Sequence, residues 1–498
     1  MKKILIIGAG IAGISSAIQL RAQGYDVEIY EKESTIGGKM SQIQSKGYTF
    51  DVGPTILMMP DVYKEVFKLA GKNPDDYITM TQINPIYSVF YSNHDRLDVS
   101  TDLVDLIKFL EGISEKDALG YMQYLSEIYK RYLVAKDHFI EKSFRKPTDF
   151  YNPKTLLKAL ELKTFDSAYH AISQFVKDDR LRKLLSFQTL YIGISPYNGP
   201  SIYSIIPMIE MIYGIWFIKG GMYGYVQGLS KLMKELGVIV HTETTVEEIV
   251  IENKQVKGIR VDGQLIEADI VLTNADFPYA MKNLIKEEKL RKPYTDAKIE
   301  KMDYSCSTFM MYLGVDHKLD NLNVHNILFS PDFDGNISEI FDGTLPKDPS
   351  MYFYCPAKLD PSLAPKGKEA LYVLVPIPNQ KTFEGPWDET QIQSYRRLVL
   401  DKIKESGMIP DLEAHIETEV ILTPKDWNLR YNAHYGATFG LAPTLMQSNY
   451  YRPHNTFSKI KNLYFTGSSV HPGAGVPIVL TSAKLAVGDI LADHGKQK

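Results

Sequence analysis

Cysteine is nearly missing: Cys306 and Cys355 are the two in 498 residues, with no Cys-x-x-Cys and no Cys/His cluster. That excludes a disulfide framework and a structural zinc, fits a reducing cytoplasmic setting, and leaves no metal to expect. A basic excess is missing too. Lys plus Arg number 56 against 60 Asp plus Glu, a net charge of −4, which excludes the footprint of a general nucleic-acid binder. No long apolar run is unbroken. Ile202–Ile218 comes nearest, but Pro207, Glu210 and Gly214 interrupt it. A membrane span needs roughly 20 apolar residues, and a carboxylate in mid-bilayer costs on the order of 3 kcal/mol. A crossing helix is therefore excluded, and the stretch reads as a buried helix that lines an apolar tunnel or else belongs to an ordinary core. An export signal is excluded as well, because Gly8 ends the run Ile4–Ile7 too soon. Internal repeats and low-complexity tracts are absent. What is plentiful is aromatic: 32 Tyr and 21 Phe within an ordinary globular mix of 44% hydrophobic and 23% charged residues. The length implies two or three closely joined units.

The first unit opens at the N-terminus. Ile4–Ile7 is a short continuous apolar run, as expected of a central parallel strand covered on both faces. Gly8-Ala9-Gly10-Ile11-Ala12-Gly13 follows, then a helical pattern with Ile14, Ala17 and Ile18 on one side, then a second strand ending at Glu31. This is the dinucleotide fingerprint in its strand–turn–helix–strand setting, with an acid 21 residues beyond Gly10. The first glycine permits the tight turn, the second lets the backbone approach a pyrophosphate, and the third permits close packing. The pyrophosphate sits at the positive end of the helix, and Glu31, followed by Lys32, accepts the ribose hydroxyls. NAD and FAD share that turn. Further on, Gly37-Gly38-Lys39 offers backbone and a cation to the pyrophosphate from a second side, and Phe50–Thr55 reads as a strand running into a stiff turn.

The far end carries a matching element. Asn462–Ser468 reads as a strand entering a glycine turn, and His471–Pro477 leads into a helix over Ile478–Leu491. Such a turn presents backbone N–H groups at a helix start, suited to an electron-rich ring edge or a ribityl chain. Between the ends, Gly220-Gly221-Met222 precedes another helix, and Ile270–Thr273 reads as a strand leading to Asn274.

Taken with these motifs, Phe50–Thr55, Ser201–Met211 and His471–Pro477 resemble the FAD-dependent carotenoid desaturases of the amine-oxidase-like flavoproteins. The likeness covers essentially the whole chain and is nearest the branch acting on 4,4′-diapophytoene (dehydrosqualene). It implies FAD held by Gly8, Ala9, Gly10, Ile11, Ala12, Gly13, Glu31 and Lys32, with Gly38 and Lys39 at the pyrophosphate. Val246 meets the adenine, and Asn274 belongs to the same set. Gly53, Pro54 and Thr55 lie beside the ring, and Gly467, Ser468, Gly475, Val476 and Pro477 hold the flavin end. The fold implied is α/β: a Rossmann-like FAD domain from residues 1–90, 220–276 and 425–498, with an α+β substrate domain inserted as 91–219 and 277–424. The implied activity is desaturation of a linear polyprene, 4,4′-diapophytoene to 4,4′-diaponeurosporene, by hydride transfer to flavin with proton loss from the next carbon. A carotenoid oxygenase or isomerase, an amine or porphyrinogen oxidase, and a prenyl-lipid escort protein compete with this reading.

No catalytic side chain is assigned. His471 and Glu210 are the candidate bases, with structural roles favoured: a turn cap for His471 and a buried cation partner for Glu210. A polyprene of some twenty carbons resists entering water by over roughly 15 kcal/mol at about 0.8 kcal/mol per methylene, so its enzyme must dock on a bilayer. The expected placement is peripheral, on the inner face of the cell membrane. In Lys136–Lys163, the cations Lys142, Arg145, Lys146, Lys154 and Lys158 alternate with Phe139, Phe144, Phe150, Leu156, Leu157 and Leu160. That pattern suits an anionic lipid surface as well as a solvated helical face.

Overall fold

Two sheets of unequal size organise the chain, whose computed structural model describes residues 1–91, 95–163 and 165–496. The smaller is parallel and five-stranded, in the order Leu463–Phe465, Ile270–Thr273, Lys3–Ile7, Asp26–Tyr30, Ile239–His241. Ile6 stands opposite Leu272 on one side and Ile29 on the other, and Leu272 stands opposite Tyr464. Ile4 and Ile6 face the helices Ile11–Ala22, Met222–Leu236 and Val476–His494. Leu5 and Ile7 face a separate three-stranded antiparallel sheet through Ile249, Val256 and Ile259. Both faces are covered, which is why this strand is written as an apolar run rather than an alternation. Ile4, Leu5 and Ile6 are wholly buried, each contributing about 2 kcal/mol. The N-terminal strand thus lies one strand away from the last strand of the chain.

The larger sheet has seven strands in the order Ile416–Leu422, Ser307–Val315, Glu369–Ile377, Met351–Tyr354, His325–Leu328, Tyr87–Phe90, Arg96–Val99. It is antiparallel except where Tyr87–Phe90 runs alongside His325–Leu328. Phe309, Met311, Val373 and Val375 pack on the helix Glu389–Glu405. Met310, Tyr312, Tyr372 and Leu374 point to the opposite face, toward the helices Glu115–Ala135 and Ile205–Tyr213. Because Tyr87–Phe90 is paired in this sheet, a boundary at residue 90 cuts inside it; the chain leaves the nucleotide-binding half earlier.

Ile202–Ile218 is not one helix. A 3-10 turn at Ser201–Ser204 leads into Ile205–Tyr213, and Gly214, at φ 72°, redirects the chain into the strand Ile215–Ile218, which pairs with Met80–Ile83. Among the described residues no helix is long and apolar enough to cross a membrane.

Candidate active site

A cavity of about 540 Å³ runs from the C-terminal ends of the parallel strands to the inner face of the larger sheet. Ligands of open α/β sheets bind at that end of the strands. All of the predicted site residues except Ala9 and Gly13 line it. Those two stand behind the wall and shape it. Ala9 donates its N–H to Glu31 Oε2 at 2.7 Å, and a Cβ on Gly13 would lie 2.2 Å from the Gly8 carbonyl oxygen. Gly13 therefore permits close packing, and Gly8 supplies the turn at φ 92°.

Two helices start at this cavity without a side-chain cap: Ile11–Ala22, with Gly10 at its N-cap, and Val476–His494, with Gly475 at its own. Uncapped starts leave first-turn N–H groups open to a ligand, Gly13 N–H excepted, and their dipoles favour negative charge or electron-rich edges. Glu31 accepts from Ala9 N–H and, at 3.0 Å, from Glu33 N–H; burial pushes its carboxyl up despite these bonds. Asn274 joins the two ends of the chain. Its Oδ1 accepts from Gly13 N–H at 3.1 Å, and its Nδ2 donates to the Thr466 carbonyl at 3.2 Å. Lys39 donates to the Thr438 carbonyl at 2.7 Å; desolvation holds its ammonium down, opposed by the charge of Asp276.

The turn at Gly53-Pro54-Thr55 is fixed from the larger sheet. Tyr312 donates to the Val52 carbonyl at 2.5 Å, Tyr372 to the Gly53 carbonyl at 2.8 Å, and Thr55 Oγ1 lies 2.7 Å from the Tyr352 hydroxyl. Beyond that turn the wall becomes hydrocarbon: Phe187, Leu190, Ile206, Ile209, Phe329 and Phe333.

Neither candidate base lines the cavity. His471 is buried, with Nε2 2.9 Å from the Lys142 carbonyl, and burial pushes its imidazole down to about 3. Glu210 has no cation partner among the described residues, which corrects that expectation. Its Oε2 accepts from Gln188 Nε2 at 3.1 Å and from the Tyr87 hydroxyl at 3.3 Å, and burial raises its carboxyl to about 7. The mixed stretch Lys136–Lys163 also differs from expectation. Phe139, Phe144 and Phe150 are inside, with Phe150 stacked on Tyr450 at 5.3 Å. Arg145 pairs with Asp489 and Asp493 of the last helix. Leu156, Leu157 and Leu160 are exposed.

Sequence reasoning missed the wall formed by Trp427, Arg430, Tyr431, Thr438 and Arg452. Lys32 reaches this segment, donating to the Leu429 carbonyl at 2.8 Å and to Asn432 Oδ1 at 3.2 Å. These residues come from a short helix and irregular turns with no repeating pattern, so no local signal marked them.

The residues present fit FAD: two uncapped helix starts, glycines where a side chain would intrude, an acid beside the first, and an aromatic-walled space beyond. Residues 11–491 match the family of flavin containing amine oxidoreductases. The chain is 48% identical over 499 residues, covering 99% of it and 100% of the relative, to a 4,4′-diapophytoene desaturase (4,4′-diaponeurosporene-forming) of Staphylococcus haemolyticus. A protein of the same description from Staphylococcus aureus is 47% identical, with 99% of each chain covered. Among solved structures, an oxidoreductase from Methanosarcina mazei superposes with a TM-score of 0.65 at 17% identity, covering 98% of this chain and 100% of that one, a likeness of fold. From strand order, cavity and relatives together, this chain belongs to the flavin-containing amine oxidoreductase family, in its carotenoid desaturase branch, with FAD as its cofactor.

Proposed function

We propose that this chain removes hydrogen pairs from a linear polyprene, 4,4′-diapophytoene, to give 4,4′-diaponeurosporene, while seated on a membrane surface. The observation that carries this reading is the hydrocarbon arm of the cavity. Seven charged groups line the wall (Glu31, Lys32, Glu33, Lys39, Asp276, Arg430 and Arg452), Arg452 among them at the flavin-end turn, whereas Phe187, Leu190, Ile206, Ile209, Phe329 and Phe333 offer aliphatic and aromatic groups alone. A substrate without polar atoms has no hydrogen-bond handle, so shape and aromatic contact must position it. Sequence identity to relatives described as performing this conversion runs the full length of the chain.

FAD, when bound, supplies the acceptor for a hydrogen that leaves carbon with its electron pair. The protein's own part is placement. Gly8, Gly10 and the start of the first helix hold the pyrophosphate end, and Gly467, Gly475 and the start of the last helix hold the ring end. The tyrosine-braced turn at Gly53–Thr55 closes one side. Phe187, Ile206 and Phe329 exclude water, which protects a developing cationic carbon from addition of hydroxyl. No side chain is assigned as proton acceptor.

The membrane reading rests on exposed apolar side chains. Leu157 and Leu160 of the helix Pro153–Glu161 are 63% and 64% exposed, and Phe165, a few residues on, is 81% exposed. Leu162, in the same segment, is buried and lines the cavity, so these side chains are continuous in sequence with the tunnel wall. Expression in a host that makes dehydrosqualene tests the function. Lipid extracts should absorb at longer wavelength and lose mass in hydrogen pairs. Unchanged mass, or gained oxygen, from a strain containing FAD-loaded protein would sink the proposal.

A further inference from the structure

Arg452 is 1% exposed and lines the cavity beside the flavin-end turn. Its guanidinium donates to backbone carbonyls alone: Nε to Val470 at 3.1 Å, Nη1 to Gln447 at 3.2 Å, and Nη2 to Leu441 at 3.3 Å and to Ser468 at 2.7 Å. None of its bonds goes to a carboxylate. Asp276 is the acid whose field reaches it, but Asp276 also faces Lys39, which opposes it. Glu31 serves the other end of the cavity. Among the described residues, the flavin-end wall thus holds a cation with no ion-pair partner.

A buried, uncompensated charge is costly, and proteins keep one where something else repays it. Fastening a loop does not require it. Asn455, in the same segment, binds the Phe465 and His471 carbonyls at 3.1 and 3.2 Å with a neutral amide. Burial lowers the Arg452 guanidinium to about 10, which still leaves it charged at neutral pH.

We propose that Arg452 is a positioning residue whose fixed charge favours the reduced, anionic isoalloxazine over the oxidised, neutral one. It thereby raises the potential at which the flavin accepts the electron pair taken from substrate. The electron balance is simple. A C–H bond breaks, two electrons and one hydrogen pass to the ring, the ring gains one negative charge, and the second hydrogen leaves the neighbouring carbon as a proton. Arg452 acts on the ring charge and touches neither carbon. The inference rests on FAD occupying this cavity.

Spectroelectrochemical titration of the FAD-loaded wild type, Arg452→Lys and Arg452→Met tests it. The Met variant should bind reduced FAD at least tenfold more weakly relative to oxidised FAD, which lowers the two-electron potential by about 30 mV or more. The Lys variant, with charge but fewer bonds, should retain most of the wild-type value. A Met variant at the wild-type potential, or a Lys variant that falls as far, overturns the proposal. A measurement on the wild type alone guards against a misfolded variant. On the acid side of neutrality, where free reduced FAD takes up a second proton, the bound potential should change by about 30 mV per pH unit, the slope for two electrons with one proton. Twice that slope overturns the charge argument. A wild type that takes up no FAD strikes down the cofactor assignment beneath it.

Discussion

A Cβ placed on Gly10 would lie 2.6 Å from Asn274 Oδ1, the oxygen that accepts from Gly13 N–H. Gly10→Val therefore acts twice, filling the space the pyrophosphate needs and displacing the amide that ties the first turn to the last. We expect loss of bound flavin, read as the ratio of visible to ultraviolet absorbance in the purified protein; a stoichiometric yellow variant would refute the placement. Glu210 gives a prediction of another kind. Its carboxyl sits at about 7 against an ordinary 4.5, so the folded state holds a proton that the unfolded chain releases. Its contribution is fully present below about pH 4.5 and is lost as pH rises through about 7, on the order of 3 kcal/mol over the window. Glu210→Gln keeps a neutral amide among Gln188 and Tyr87 and removes this titration. Melting temperatures of variant and wild type should keep a fixed offset below about pH 4.5, move apart in favour of the variant between about pH 4.5 and 7, and hold that gap above it; curves parallel throughout would contradict it.

Among elements, the helix Pro153–Glu161 exposes Leu156, Leu157 and Leu160 and leads into Leu162 of the cavity wall. Replacing Leu157 and Leu160 with Glu touches solvent-exposed positions, so folding and flavin content should be kept while co-sedimentation with anionic vesicles falls at least tenfold. Undiminished vesicle binding would place the docking face elsewhere. The same stretch shows what a sequence hides. Its phenylalanines and leucines look equivalent along the chain, yet Phe144 and Phe150 turn inward onto Tyr450, one edge-on and one stacked, a ring supplied by an element some 300 residues away. The opening strand, glycine turn and helix were legible because each of those signals is local: an apolar run, three glycines at fixed spacing and an acid on the next strand. Gly214 shows the reverse. It was read as an interruption in a helix, but its positive φ makes it a corner between helix and strand, a distinction set by the pairing of Ile215–Ile218 with Met80–Ile83. Arg452 was illegible for a related reason. Its meaning lies in the carbonyls of four separated residues, and no spacing rule describes those.

For the whole molecule, the cavity draws on both sheets, so a ligand filling it binds the folded chain and not the unfolded one. FAD at a hundredfold excess over its dissociation constant should stabilise the fold by about 2.7 kcal/mol, seen as a higher melting temperature that Gly10→Val lacks. A holoprotein melting with its apo form would refute a site shared between the sheets. The order of strands in the smaller sheet has a further consequence. Asn274 clasps Gly13 with one side of its amide and Thr466 with the other, and the strand Leu463–Phe465 and the helix Val476–His494 complete the wall. During synthesis, the fingerprint leaves the ribosome some 450 residues before the strand Leu463–Phe465 and the last helix, and its pocket does not exist until they follow. Nascent chains should leave translation colourless and acquire their prosthetic group afterwards, and a stalled or C-terminally clipped product should stay colourless, however intact its opening motif.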